Sequence, residues 1–176
     1  MTSTLLRLEA GPEAADCPEC GAPGVGGQSG CQALYDQLSL LAYTNLPTTA
    51  LTTLAFDTYC MQHIEPYCHS AKSYAAHLTR LCCAIERGGD PDVYVAIQRW
   101  LNGSIALDRP AVLAQRGDIT IASLLPATTA QELAPLIRQW AASVWAAYAS
   151  QHDLARHWIE RALGEGQAPH HSRTSR

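Results

Sequence analysis

The chain has 176 residues, of which 47% are hydrophobic and 16% are charged, and this size and composition are typical of one globular domain. Its formal charge is -4 and Lys72 is its single lysine, so we expect no surface that neutralises the phosphates of a nucleic acid. No stretch approaches the roughly 20 apolar residues of a membrane span, and the N-terminal residues lack the order of a secretory signal. We therefore expect a cytoplasmic protein that binds neither nucleic acid nor a membrane.

The N-terminal part of the chain divides into an arm and a turn. Residues 1–16 have no sustained hydrophobic period, which predicts a flexible N-terminal arm. The arm leads into a cysteine turn over residues 17–31, in which Cys17 and Cys20 are separated by two residues and Cys31 follows a glycine-rich loop. This arrangement predicts a zinc-knuckle-like segment.

Two helices are predicted to follow the cysteine turn. Leucines recur at spacings of four and three after Cys31, which predicts a first helix that ends near Asn45. Pro47 suits the first turn of a second helix, and Glu65–Pro66 is expected to end it. This second helix would carry His63 in its last turn.

A third helix is predicted to begin after Ser70, whose hydroxyl group can cap the free amides of the first turn. Gly88–Gly89 is expected to end it. His77 is predicted to lie on the buried face of this helix. The other residues predicted on that face are Tyr74, Leu78, Leu81 and Ile85.

The C-terminal half is also predicted to be helical. A fourth helix is expected to begin at Asp90–Pro91, a cap followed by proline at the first helical position, and to close at Asn102–Gly103. Residues 120–125 are expected to form a short helix, with a short strand as the alternative. A capping-box spacing then opens one long last helix over residues 128–163. The polar, glycine-containing residues 164–176 are expected to be a disordered tail.

These elements together define a fold class. Five substantial helices with short connections, and no alternating strand pattern, predict an all-α, five-helix bundle. We expect it to form a single domain over residues 17–163, with the cysteine turn at its N-terminal end.

The cysteine turn supplies ligands for a metal ion. Zinc binds thiolates and imidazoles in a tetrahedron, and Cys17 and Cys20 can share one ion with little loop-closure cost. Cys31 can bend back to the same ion, and either His63 or His77 can take the fourth position. Thiolate and imidazole ligands accept iron as well as zinc, and we expect zinc. The side chains that could orient the imidazole are Asp57 and Gln62.

Other roles for these residues are weighed against metal binding. Seven cysteines, an odd number that includes the adjacent pair Cys82–Cys83, fit poorly with a disulfide framework, so reduced thiols are expected. A redox pair at Cys17 and Cys20 would be expected within a thioredoxin-like βαβ pattern, which the chain lacks. His77 could instead be a core histidine paired with Tyr59 or Asp57. The cysteines expected to be packing residues are Cys60, Cys68, Cys82 and Cys83.

Several motifs in a fixed order carry a resemblance to a known family. They are Cys17-Pro-x-Cys20-Gly-Ala, Gly30-Cys31, Asp57-x-Tyr59-x-x-Gln62-His63, His77-Leu78-x-x-Leu81, Glu86-Arg87-Gly88 and Trp140-x-x-Ser143-Val144-Trp145-x-x-Tyr148-x-x-His152. The chain resembles the family catalogued as domain of unknown function 5946 over roughly Cys17 to Trp158. The resemblance implies that the cysteine turn, His63, His77 and His152 belong to one recurring design, and it brings no established activity or ligand assignment.

Two classes of function follow from these features. In the first, a structural metal fastens the N-terminal segment to the helical bundle, and the exposed surface binds an unidentified protein partner. In the second, the protein is a small metal-dependent enzyme of a hydrolase-like or proton-transfer type. The residues of its pocket between helices would be Asp57, His63, His77 and His152. Four protein donors around the metal would favour the first class.

Overall fold

The computed structural model describes residues 14–45, 49–127 and 129–165, and all regular secondary structure in these residues is helical. The α-helices are α1 (Gly27–Asn45), α2 (Thr49–Gln62), α3 (Ile64–Tyr67), α4 (Ala71–Glu86), α5 (Pro91–Asn102), α6 (Ala130–Ala147) and α7 (His152–Glu165). Two 3₁₀ helices, Ile121–Leu124 and Ala149–Gln151, complete the regular elements of these residues. The all-α fold class is confirmed. The predicted number of five helices is wrong, because the described residues contain seven α-helices.

The predicted second helix ends earlier than expected. His63, placed by the sequence in its last turn, has φ -119° and ψ 68°, which lies outside the helical region. Helix α2 therefore ends at Gln62, and a separate short helix, α3, contains Pro66. The predicted start of this helix at Pro47 lies outside the described residues.

The predicted last helix is also divided. The backbone carbonyl of Trp145 accepts the Tyr148 amide at 3.0 Å and His152 Nε2 at 2.8 Å. In a continuous α-helix this carbonyl would accept the amide of residue 149. The imidazole hydrogen bond replaces that bond, and a 3₁₀ turn separates α6 from α7.

Smaller differences occur at the ends of the predicted elements. Helix α1 begins at Gly27, inside the predicted cysteine turn, and α7 reaches Glu165, two residues into the predicted tail. Ile85, predicted to be buried, is 36% exposed on α4. Residues 1–13 of the predicted arm and residues 166–176 of the predicted tail lie outside the described residues.

Helix α2 lies at the centre of the packing. It contacts α1, α4 and α6, while α4 also packs against α5 and α7, and α5 packs against α7. Large side chains fill the space between these helices, and among the fully buried ones are Trp140, Tyr59, Tyr74, Tyr148 and Met61. Tyr148 also donates its hydroxyl hydrogen to the Met61 carbonyl oxygen at 2.7 Å, which fastens the end of α6 to α2. In the described part of the chain, no helix combines the length and the apolar character of a membrane span.

The N-terminus of α6 carries the capping box that the sequence predicts. Thr129 Oγ1 accepts the Glu132 amide and Glu132 Oε2 accepts the Thr129 amide, each at 3.2 Å. We expect Thr129→Ala to lower the free energy of unfolding by about 1 kcal/mol, because it leaves one helix-end amide without its acceptor. Urea unfolding measures this change. Thr129→Ser retains the hydroxyl group and should have a much smaller effect, and an equal loss in both variants would contradict the capping role.

Candidate metal centre

The cysteine turn is closed by backbone hydrogen bonds. The Cys17 amide donates to the Ala22 carbonyl oxygen, and the Gly21 amide donates to the Cys17 carbonyl oxygen, both at 2.9 Å. Gly21 has a φ of 74°, a left-handed conformation that glycine adopts without steric strain. Burial raises the pKa of the Cys17 thiol, while hydrogen bonds from the amides of Cys20 and Glu19 oppose that rise. The turn therefore directs backbone donors at a sulfur atom, as a bound thiolate requires.

The third cysteine is placed by the start of α1. Gly26 and Gly27 donate their amides to the Ala15 carbonyl oxygen at 3.0 and 2.7 Å, which holds the chain before the turn against the start of the helix. A Cβ atom at Gly30 would lie 1.7 Å from the Val25 carbonyl oxygen, so only glycine fits there. Cys31, the next residue, is fully buried.

His63 is oriented by the end of α2. Its Nδ1 atom lies 2.8 Å from the Tyr59 carbonyl oxygen, which can only accept, so Nδ1 carries the hydrogen. In the neutral ring this leaves a lone pair on Nε2, which lies 3.5 Å from Cys17 Sγ and 3.3 Å from Cys31 Sγ. The Tyr59 ring stacks on the imidazole at a centroid distance of 3.9 Å. The ring nitrogen that faces the sulfurs is thus free to coordinate a metal.

Cys17, Cys20, Cys31 and His63 form a group that we call the Cys3His cluster. Their ligand atoms all lie within 4.8 Å of one another, close enough to hold a metal ion. Tetrahedral zinc with Zn–S bonds of about 2.3 Å and Zn–N bonds of about 2.0 Å separates two sulfurs by about 3.8 Å and a sulfur from a nitrogen by about 3.5 Å. The Cys20 and Cys31 sulfurs are 3.7 Å apart, and the two sulfur–nitrogen distances above are also close to these values. The donor set is compatible with zinc.

The thiols of the cluster affect one another's ionisation. A hydrogen bond from the Cys31 thiol lowers the pKa of Cys20 to about 4, although burial of Cys20 acts in the opposite direction. The same hydrogen bond, followed by burial, raises the pKa of Cys31. A divalent cation bound by the three sulfurs would stabilise the thiolate form of each of them.

Arg116 connects the cysteine turn to the end of α2. One of its terminal nitrogens, Nη1, lies 2.6 Å from Glu19 Oε2 and 2.6 Å from the Gln62 carbonyl oxygen. Both side chains of this ion pair are largely shielded from solvent. Arg116 therefore holds the turn against the residue that precedes His63.

The two side chains proposed to orient the imidazole have other partners. Gln62 donates its side-chain amide to the carbonyl oxygens of Arg116 and Ile119 and accepts the Trp140 indole hydrogen. Asp57 accepts from His77 Nδ1 at 2.9 Å and lies 3.2 Å from Arg80 Nε. The group that orients His63 is instead the backbone carbonyl of Tyr59, four residues earlier. The sequence signal for this hydrogen bond is the position of His63 at the end of a helix.

His77 does not join the cluster. It pairs with Asp57, as the core-histidine alternative proposed, and its side chain is 12% exposed. Burial is the main influence on Asp57 and raises its pKa, while the bond from His77 opposes that rise. His152 stacks on the Trp145 ring at a centroid distance of 3.8 Å. Asp57 and His77 thus bond to each other, His63 belongs to the cluster, and His152 stacks on Trp145. The four residues predicted for the enzyme pocket therefore lie in three separate groups.

The four remaining cysteines are buried and free. Cys68 donates to the Cys60 carbonyl oxygen at 3.8 Å, and Cys83 donates to the Asp90 carbonyl oxygen at 3.7 Å. Burial is the largest cause of a raised pKa in each of these thiols. They are packing residues, as the sequence predicts.

Comparisons with the curated proteins and with the solved structures gave no match. The family described as "Family of unknown function (DUF5946)" matches residues 15–149, a range that includes every residue of the Cys3His cluster. This match covers most of the chain and confirms the resemblance drawn from the motifs. The chain belongs to the family of unknown function DUF5946.

Proposed function

We propose that this protein binds one zinc ion through the Cys3His cluster and that the ion has a mainly structural role. The observation that carries the proposal is the convergence of three sulfurs and one imidazole nitrogen within 4.8 Å. Thiolate and imidazole donors at tetrahedral spacing are the ligands that zinc prefers in structural sites.

The donor count and the burial support a structural ion. Four protein donors fill a tetrahedral shell and leave no position for water or a substrate. Cys17 is 2% exposed, and Cys31 and His63 are fully buried. Catalytic zinc sites, in contrast, keep one open position. The alternative of a small metal-dependent enzyme would require such a position.

The topology explains what a structural ion would do. Cys17 and Cys20 precede α1, Cys31 lies in α1, and His63 lies between α2 and α3. One ion would join these segments, and its binding energy would be folding energy for the N-terminal third of the chain.

We assign the biological role to the exposed surface, which would bind a protein partner. Leu40 on α1 and Val95 on α5 are 69% and 55% exposed, and they are apolar side chains that such a partner would cover. The seven cysteines all lie in the described residues and form no disulfide bond there, which supports a reducing compartment such as the cytoplasm.

Metal content tests the first part of the proposal. Elemental mass spectrometry of the untagged protein should find about one zinc per chain, and Cys20→Ser and His63→Ala should lose most of it. Cys68→Ser and His77→Ala are matched controls outside the cluster and should keep the parent content. Absence of metal from the parent, or loss in the controls alone, would contradict the proposal.

The coordination shell distinguishes a structural ion from a catalytic one. X-ray absorption of the zinc-loaded protein should report three sulfurs at about 2.3 Å and one nitrogen at about 2.0 Å. A shell with an additional oxygen, or with fewer sulfurs, would favour the enzyme alternative instead.

A further inference from the structure

Two adjoining cavities lie away from the Cys3His cluster, and neither is lined by a member of it. The first has a volume of about 270 Å³ and lies between α1 and α2, where Tyr35 and Phe56 contribute to its walls. The second has a volume of about 470 Å³ and lies among α2, α4 and α5. Thr53 and Arg80 line both cavities, and we call this pair of neighbouring cavities the Arg80 cleft.

Arg80 forms an ion pair with the buried side chain of Asp57. Its Nε atom lies 3.2 Å from Asp57 Oδ2, and the Asp57 side chain is only 1% exposed, whereas the Arg80 side chain is 29% exposed. Asp57 is also bonded to His77 Nδ1 through its other oxygen. The carboxylate is therefore buried and shared between two partners, and Arg80, the more exposed member of the ion pair, is the one that lines the cleft. The two terminal nitrogens of a guanidinium group match the oxygens of a carboxylate or phosphate.

The rest of the lining is neutral and mostly apolar. Among the described residues that line the cleft, Arg80 is the one charged side chain. Ser39, Thr52 and Thr53 add hydroxyl groups to the lining of the first cavity. The apolar lining includes Leu38, Phe56, Ile97 and Leu101. A mainly apolar cavity with a few hydroxyl groups and one charge is typical of small-molecule sites.

We propose that the Arg80 cleft binds a small molecule that carries one carboxylate or phosphate group on a compact apolar body. The anionic group pairs with the terminal nitrogens of Arg80, and the apolar body fills the space beside Phe56 and Leu38 or beside Ile97 and Leu101. This site does not overlap the metal cluster, because none of the residues that line it is a member of the cluster.

Calorimetric titration of the full-length, zinc-loaded chain tests the proposal with three probes that share one tail. Octanoate and octyl phosphate carry an anionic head, and octanol does not. We expect at least one anionic probe to bind at least about tenfold more tightly than octanol, since a hydrogen bond to a charged group accounts for such a factor. The stronger of the two anionic probes identifies the head group. Equal binding of octanol, or binding of none of the three, would overturn the proposal.

Two substitutions in the cleft and one outside it test where the probe binds. Thr53→Phe places a large side chain at the wall that the two cavities share and leaves the Arg80–Asp57 ion pair in place, so it should abolish binding without loss of fold. Arg80→Gln should weaken the anionic probe by at least about tenfold and leave octanol unchanged. Arg87→Gln, at an exposed position directly after the same helix, is the matched control and should bind as the parent does. Parent-like binding by Thr53→Phe would place the probe elsewhere and refute the assignment.

Discussion

In zinc-buffered solution, Cys31→Ser is expected to lower the free energy of unfolding by at least about 4 kcal/mol. Cys31 is fully buried between the cysteine turn and His63, and its sulfur lies near both Cys20 and the imidazole. The serine variant binds the ion weakly, so the native state loses the stabilisation that metal binding provides. Urea unfolding at a fixed free zinc concentration measures the change.

The same measurement after chelation separates coordination from packing. Without metal, Cys31→Ser only exchanges a buried thiol for a buried hydroxyl group, and its cost should fall to about 1–3 kcal/mol. Cys68→Ser has the same chemistry at a fully buried position outside the cluster, so its cost should be equal with and without zinc. If the cost of Cys31→Ser were also unchanged by chelation, the side chain would contribute packing alone and the structural metal would be refuted.

The site could be predicted from the sequence only where short-range spacing determines it. The two-residue separation of Cys17 and Cys20 and the glycine loop before Cys31 predict three ligands, because a turn and a helix start bring nearby residues together. The choice between His63 and His77 depends on how distant helices pack. His77 pairs with Asp57 from another helix, and His63 turns its free nitrogen to the sulfurs because a helix ends there.

The fold shows the same division between local and distant determinants. The caps at Ser70, Asp90 and Thr129 involve residues two or three positions apart, and the structure has all three as predicted. The break between α6 and α7 arises from the His152 imidazole, which takes a backbone carbonyl of the preceding helix. The hydrophobic period continues through this break, so periodicity alone predicts one helix.

Gln62→Leu is expected to destabilise the protein by about 3–5 kcal/mol, even though leucine is apolar and similar in size. Gln62 is fully buried and makes hydrogen bonds in three directions. Its nitrogen donates to the Arg116 and Ile119 carbonyl oxygens at 3.1 and 2.9 Å, and its oxygen accepts from Trp140 Nε1 at 2.8 Å. Leucine would leave the buried Trp140 indole and the two partly buried carbonyl oxygens without these partners, and each such group costs about 1–3 kcal/mol. Urea unfolding followed by tryptophan fluorescence measures the loss.

An exposed glutamine provides the matched control for this substitution. Gln98 lies on the surface of α5 and donates to Asn102 Oδ1 at 3.0 Å, so Gln98→Leu should change the free energy of unfolding by less than about 0.5 kcal/mol. A loss of under about 1 kcal/mol in Gln62→Leu would mean that the three groups find other partners, which contradicts the role assigned to this side chain. The larger loss would instead show that Gln62 joins α2, α6 and the segment before the first 3₁₀ helix. The Arg116 guanidinium contacts both the Gln62 carbonyl oxygen and Glu19 of the cysteine turn, so this hydrogen-bond network adjoins the candidate metal centre.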